Sequence, residues 1–127
     1  MEPPLPDFYW RYLGDAVGPR FVELHDAEFT LLSRSQLNED VNINGNVTPY
    51  WGQWHSWIKM YQELAGEEDA SLLTLDDDEV PFSTLRRCIV IGHDEDGDIL
   101  YVDPNDDNSV WRHYHDGADL ERVARSL

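Results

Sequence analysis

The last third of the chain consists of short apolar runs separated by turn residues, and this pattern constrains the fold most. Residues 87–91 form a largely apolar run, which is typical of a strand buried on both faces. The Asp96-Gly97 pair, a strong hairpin signal, separates this run from a second one at residues 99–102. Residues 104–108 turn the chain again into a third run at 110–114. The sequence therefore predicts an antiparallel meander.

Helical and extended signals alternate near the start of the chain. Asp7 stands where an N-cap is expected, and apolar side chains over residues 8–13 recur at helical spacing, which predicts a first helix. Residues 20–24 and 28–32 are two short extended runs. Because only three residues separate these runs, they predict a hairpin.

The middle of the chain predicts a short helix followed by a loop. Ser33 and Gln36 match a capping box, in which each side chain satisfies a free backbone N–H of the other residue. A helix from this box to about residues 38–40 is expected. Residues 42–48 are rich in turn formers and predict a loop.

The chain closes on a further helical pattern, and the whole order predicts the fold class. Apolar residues recur at helical spacing at Leu120, Val123, Ala124 and Leu127. Helices mixed with an antiparallel meander indicate an α+β fold with a central, twisted, mostly antiparallel sheet flanked by helices. A length of 127 residues suits a single domain over residues 1–127.

The composition excludes several classes of protein. The chain has 26 Asp and Glu against 9 Lys and Arg, a net charge of −17, which argues against free nucleic acid as a partner. A hydrophobic content of 41% is too high for a disordered acidic tail. No apolar run approaches the roughly 18 residues of a membrane span, and the start lacks the pattern of a secretory signal. We therefore expect a cytoplasmic protein without a membrane partner.

The acidic segment at residues 94–98 looks at first like a calcium loop. An EF-hand that starts at Asp94 needs Gly at its sixth position and Glu at its twelfth. The chain has Ile99 and Asn105 there, so this interpretation fails and an acidic hairpin turn is favoured.

Other candidate metal or nucleophilic residues are few. His113 and His115 are two residues apart and would share one face of a strand, but a zinc site would need further ligands from elsewhere. We expect two surface histidines. Cys88, the one cysteine, lies in an apolar run and is expected to be a buried, unreactive thiol. The sequence predicts no catalytic residue, no metal ligand and no cofactor.

Aromatic residues follow helical spacing between Pro49 and Gly66, which predicts a second helix. Trp51, Trp54 and Trp57 step by three residues and so drift round the helix by about 60° per step. Core packing accounts for part of this stripe. Because all three cannot face one surface, part of it is a candidate anchor ridge for a protein partner.

Several stretches, taken in their order, resemble the SUKH superfamily, which includes fungal cell-wall-assembly regulators and many bacterial toxin-immunity proteins. They are similar to the family's opening Leu-Pro helix, its strand leading into a Ser-capped helix, its Ile-Gly hairpin, its third strand and its final Val-Ala helix. The stretches are residues 5–13, 29–37, 80–82, 89–103, 110–111 and 123–127.

The resemblance implies an α+β fold that binds proteins and does not catalyse. Bacterial members of the family neutralise toxins, often nucleases or deaminases, by covering their active sites. We therefore expect an immunity-type module for a basic toxin, with acidic turns or tryptophans as contacts. The candidate residues are Asp76, Asp77, Asp78, Glu79, Asp94, Glu95, Asp96, Asp98, Trp51, Trp54 and Trp57.

Two alternatives remain open from the sequence. One is a housekeeping or regulatory scaffold of the same fold with another protein partner. The other is a metal-assisted hydrolase or a Ca²⁺-responsive domain built on residues 94–98 with His113 and His115. The oligomeric state is left open. Because turns 94–98 and 103–107 lie at opposite ends of a meander, one contact should use only one of them.

Overall fold

The computed structural model describes residues 20–24, 27–43, 45–69, 73–75, 80–114 and 119–125. In chain order, the elements in these ranges are β1 (Arg20–Leu24), β2 (Ala27–Leu31), α1 (Arg34–Leu37), β3 (Asp40–Ile43), β4 (Asn46–Pro49), a 3-10 turn (Tyr50–Gly52), α2 (Gln53–Ala65), β5 (Thr74–Leu75), β6 (Val80–Pro81), α3 (Phe82–Leu85), β7 (Ile89–His93), β8 (Ile99–Asp103), β9 (Ser109–His113) and β10 (Leu120–Ala124). The first predicted helix, residues 8–13, lies outside the described residues.

A six-stranded sheet in the order β1-β2-β7-β8-β9-β10 forms the centre of the fold. Each neighbouring pair in it is antiparallel, which confirms the predicted α+β class. The predicted meander is confirmed as β7-β8-β9. Tyr101 in the middle of β8 pairs with Val90 on one side and Trp111 on the other. All five residues of β8 are buried, because both faces of this central strand are covered.

The predicted N-terminal hairpin is also confirmed, as β1 and β2. Strand β2 then joins the meander through two pairs, Thr30 with His93 and Leu31 with Gly92. The backbones approach so closely here that a Cβ on Gly92 would lie 2.1 Å from the carbonyl oxygen of Thr30. Only glycine permits this approach.

The helix signals in the middle of the chain correspond to α1 and α2. Both halves of the Ser33–Gln36 capping box are formed at the start of α1, which ends at Leu37 and is shorter than predicted. Helix α2 follows the 3-10 turn, and Gly66 ends it with a left-handed φ of 68°, as expected for a helix C-terminus.

The loop predicted at residues 42–48 is wrong. This segment belongs to an antiparallel hairpin of β3 and β4, in which Val41 pairs with Thr48 and Asn42 with Val47. Gly45 has a φ of 87°, and the side chain of Asn42 accepts its backbone N–H. The Asn-Gly pair was therefore a hairpin signal, and the polar residues around it hid the two strands.

The closing helix is also wrong, because the C-terminal segment is the edge strand β10. Leu120 pairs with His113 and Glu121 with Arg112. A final helix of about eight residues gains little by itself, whereas the edge of β9 offers a row of unpaired backbone groups. Long-range pairing therefore overrides the helical spacing of Leu120, Val123 and Ala124.

Apolar side chains cover the sheet on both faces. On the first face, β2, β7, β8 and β9 pack with Leu37 of α1 and with Trp51. On the second face, Val90 and Tyr101 pack against α2 and α3. None of the helices among the described residues has the length and apolar character needed to cross a membrane.

Candidate functional site

One end of the sheet collects acidic side chains from several strands. Strands β1, β7 and β9 finish at this end, and β2, β8 and β10 begin there. We call it the acidic end and define it by Glu23, Glu28, Asp94, Glu95, Asp96, Asp98, Asp119 and Glu121. Among the described residues of these strand ends and turns, Arg112 is the one Lys or Arg. The topology therefore concentrates negative charge beyond what any single turn provides.

Two of these carboxylates are buried and belong to the framework of the β7–β8 turn. Asp94 Oδ1 accepts the backbone N–H groups of Asp96 and Asp98, each at 2.9 Å. Arg112 donates from Nε to Asp98 Oδ2 and from Nη2 to Asp94 Oδ2, both at 2.8 Å. The turn is therefore tied to β9 by charge-assisted hydrogen bonds.

Aromatic rings hold the guanidinium of Arg112 in place. It lies 4.5 Å from the ring centroid of Tyr114 and 5.4 Å from that of Phe29. Partial burial acts to lower the pKa of Arg112, but the hydrogen bond and charge of Asp98 outweigh it and raise this pKa. The Tyr114 hydroxyl donates to Glu121 Oε2 at 2.6 Å, which raises the pKa of Tyr114. The Arg112 guanidinium therefore stays protonated, and its hydrogen bonds and ring contacts hold it in one position.

This geometry corrects part of the predicted contact set. Asp94 and Asp98 are buried and bound by Arg112, so their side chains are not a surface for a partner. Glu95 and Asp96 at the tip of the same turn are exposed. They line a shallow hollow of about 300 Å³ together with Glu28 of β2 and with the paired Asp94 and Arg112. The predicted cluster at Asp76, Asp77, Asp78 and Glu79 lies outside the described residues.

The three tryptophans do not form a common ridge. Trp51 packs with the first face of the sheet, and Trp54 and Trp57 pack with the second. Trp54 is 0% exposed and its ring lies 5.2 Å from that of Tyr101, so it is a core residue and not an anchor. Trp57 is half-buried and donates to Gln53 at 3.4 Å. Trp51 belongs to the 3-10 turn and the other two to α2, and these two elements pack on different faces of the sheet.

The candidate metal and nucleophile positions are part of the packing. His113 was expected on the surface, but it is buried 5.1 Å from the ring of Trp54 and contacts the Tyr61 hydroxyl at 3.2 Å. His115 lies outside the described residues. Within the described ranges, no group of three or more His, Cys, Asp or Glu is arranged to hold a metal ion.

Cys88 is a buried thiol, as predicted. Its Sγ donates to the Thr84 carbonyl at 3.4 Å. Burial, assisted by the negative charge of Asp103, raises its pKa, so the thiol stays protonated near neutral pH.

Arg112 and Glu28 are the residues of this site that the sequence did not reveal. Between Arg87 and the C-terminal segment, Arg112 is the one Lys or Arg of the sequence. In an alternating strand, its side chain lies on the face opposite to the side chains of Trp111 and His113. A single cation in so acidic a segment could have been predicted to form an ion pair with the carboxylates of residues 94–98. Glu28 carries no comparable signal, because its place beside Glu95 depends on the non-sequential pairing of β2 with β7.

Comparison with known proteins identifies no relative of this chain. No protein-family model matches it, and neither a curated protein nor a solved structure matches it.

Proposed function

We propose that this chain is a non-catalytic protein-binding module that takes a basic protein partner on its acidic end. The observation that carries the proposal is the exposure of Glu23, Glu28, Glu95 and Asp96 together at one end of the sheet. The one described Lys or Arg at this end, Arg112, is already bound by Asp94 and Asp98. Among the residues that the structure describes, no other Lys or Arg compensates the surface charge at this end.

Such a surface favours fast and selective association with a positively charged protein. Complementary charge raises association rates by about 10- to 1000-fold at low salt. A nuclease must be basic where it binds nucleic acid, so a toxin of this kind fits the acidic end. The proposed role is therefore immunity-type: the module covers the basic channel of a toxin and blocks its substrate.

A rigid acidic surface suits binding better than a flexible one. The β7–β8 turn carries Glu95 and Asp96 at its tip, and the buried Asp94–Arg112–Asp98 network holds it from below. A turn whose backbone is ordered in advance loses less entropy when a partner arrives. The same network uses the two carboxylates that a hydrolytic or metal site in this turn would need, which favours binding over catalysis.

The SUKH resemblance supports the proposal at the level of fold and mode of action. The antiparallel α+β sheet is of the kind that the resemblance implies, and the Ser-capped helix after β2 is present. The segment similar to the family's final helix is instead the edge strand β10. We therefore propose a SUKH-like immunity module and rest its contact surface on the acidic end.

The test is a capture experiment with matched charge variants. Tagged protein is exposed to a lysate of its host, eluted in salt steps, and the bound proteins are identified by mass spectrometry. The variant Glu95→Lys/Asp96→Lys reverses two exposed charges at the acidic end. The control Glu63→Lys/Glu68→Lys makes the same change of charge at exposed positions at the end of α2.

We expect a basic protein that the wild type and the control retain and that the acidic-end variant loses. Its association with the purified wild type should slow by about tenfold or more between low and moderate salt. Inhibition of that protein's own nuclease or deaminase activity would establish immunity, and binding without inhibition would indicate a scaffold. A partner retained equally by all three proteins would contradict the proposed surface.

A further inference from the structure

An apolar hollow of about 190 Å³ lies between β6, α3 and the second face of β8 and β9. We call it the Asp103 pocket, and its wall is made of Val80, Pro81, Thr84, Leu85, Cys88, Tyr101, Asp103 and Trp111. Val80, Pro81, Thr84 and Trp111 are only half-buried, so solvent reaches it. An apolar cavity of about 150 Å³ accepts benzene. The Asp103 pocket therefore has room for one side chain.

A single carboxylate gives this apolar wall its chemical preference. Asp103 is 9% exposed, and its Oδ1 accepts the backbone N–H of Asn105 at 2.9 Å. Its Oδ2 receives no hydrogen bond and no ion pair from the described residues. Asp103 lines the pocket among mostly apolar neighbours, and a carboxylate in such a wall is stabilised by a positive partner. The pocket is therefore suited to a ligand with an apolar stem and a cationic head.

The turn between β8 and β9 holds the pocket in shape. Trp111 Nε1 donates to Ser109 Oγ at 2.8 Å, and Ser109 Oγ donates to Asp106 Oδ2 at 2.8 Å. The indole is thus fixed by the same turn that orients Asp103. Cys88 contributes a protonated thiol to the wall and therefore adds no charge. Both recognition groups are in place before a ligand binds, which lowers the entropic cost of binding.

We propose that the Asp103 pocket binds an arginine side chain of a protein partner. The methylene stem packs on Val80 and Leu85, and the guanidinium pairs with Asp103 beside the indole of Trp111. Arginine suits this wall better than lysine does. Its planar head binds carboxylates through two N–H groups, stacks on aromatic rings and is weakly hydrated. An indole is also the aromatic group that attracts cations most strongly.

That the arginine belongs to the basic partner rests on the proposed function. Strand β8 runs from the acidic end to Asp103, and its five residues span about 17 Å. A standard interface buries about 800 Å² of each partner. One protein is therefore large enough to contact the acidic end and to place an arginine in the pocket.

The chain's own Arg87 carries a positive charge beside the pocket. It is exposed and lies close enough to Cys88 for its charge to oppose the rise in the pKa of this thiol. It forms no ion pair with Asp103 among the described residues. Its positive charge near the pocket repels an incoming guanidinium, so removing it should strengthen binding.

The test uses the full chain and two synthetic peptides. The probe is acetyl-Gly-Gly-Arg-Gly-Gly-amide, and the control peptide carries citrulline, which has the same shape and no charge. Binding is followed by the NMR shifts of the Trp111 indole N–H and of the backbone at residues 84–88. We expect the arginine peptide to bind at least about tenfold more tightly than the citrulline peptide, since hydrogen bonds between charged groups are the stronger ones.

Three variants distinguish binding in the pocket from binding elsewhere on the surface. Asp103→Asn keeps an acceptor for the Asn105 N–H and should weaken arginine binding about tenfold or more. Thr84→Met fills the hollow and should remove the binding of both peptides. Arg87→Gln should strengthen arginine binding about two- to fivefold, as expected for an exposed charge.

Equal binding of the two peptides would contradict the proposal that the pocket recognises arginine. Arginine binding that Asp103→Asn and Thr84→Met leave unchanged would show that the peptide binds elsewhere. Free methylguanidinium that binds as tightly as the peptide would overturn the assignment to a protein side chain. If the peptide binds as expected but lysate capture yields no partner sensitive to Glu95 and Asp96, the pocket stands and the proposed function fails.

Discussion

Arg112 Nη2 lies 2.7 Å from Asp98 Oδ2, a side chain 14 residues earlier in the chain and 3% exposed. The contact joins the β7–β8 turn to β9 across one complete strand. It converts two of the most prominent acidic residues of the sequence into structural groups, and it leaves Glu95 and Asp96 as the exposed charges of that turn.

Replacing Arg112 should be among the most destabilising single changes in the chain. Arg112→Met leaves Asp94 and Asp98 buried without a cation, which costs about 3–5 kcal/mol in the free energy of unfolding. Urea denaturation measures the loss. Arg122→Met, at an exposed position on β10, is the control and should change stability by less than about 0.5 kcal/mol. Similar values for the two variants would show that the network contributes little.

The hydrogen bond from Tyr114 to Glu121 should make part of the stability depend on alkaline pH. The folded state raises the pKa of Tyr114, so its contribution is complete below the ordinary tyrosine pKa of about 10 and is lost as pH rises through the folded-state pKa. At pH 8, Tyr114→Phe should be less stable than the wild type by about 0.5–1.5 kcal/mol. Denaturation at pH 8 and at pH 11 should show this difference shrinking. A difference that stays constant would rule out the linkage.

Gly92→Ala should disrupt the junction between β2 and β7, because its Cβ would meet the Thr30 carbonyl oxygen at 2.1 Å. The backbone cannot move away without breaking the pairing, so we expect a loss of at least about 2 kcal/mol. Gly66→Ala is a matched control with a φ of 68° and no atom near the added Cβ. It should cost only about 1 kcal/mol, the strain of a left-handed alanine. Equal losses in urea denaturation would argue against the steric explanation.

Cys88 should resist thiol reagents as long as the protein is folded. It is 4% exposed, and burial raises its pKa, so little thiolate is present or reachable at pH 8. A chromogenic disulfide reagent should react slower by about two orders of magnitude or more in buffer than in 8 M urea. Equal rates would mean that the reagent reaches the thiol in the folded protein through the Asp103 pocket, of which Cys88 is part of the wall.

Local signals were sufficient wherever neighbouring residues decide the structure. The Ser33–Gln36 capping box, the Asp96-Gly97 hairpin and the helix that Gly66 ends all depend on contacts within a few residues. The structure agrees with each of them. The burial of Cys88 could also be predicted, since a short apolar run between two turns is stable only when it packs in the core.

Errors arose where a local pattern competes with a distant partner. Residues 120–124 carry helical spacing, yet they pair with β9 because that edge is available. The three tryptophans of residues 51–57 have the same chemistry, but they pack against opposite faces of the sheet. The alternating pattern of its strand predicts His113 on the surface. The residue is buried instead, because α2 covers that face of the sheet.

The antiparallel meander, the capping box and the strongly negative charge could be predicted from the sequence, because turn chemistry and side-chain periodicity act over a few residues. Which of the charges are exposed depends on the tertiary structure. Strand register sets Arg112 against Asp94 and Asp98, brings Glu28 beside Glu95 and leaves Asp103 in an apolar wall. These relationships join residues from different strands, and no local free energy distinguishes a paired carboxylate from an exposed one.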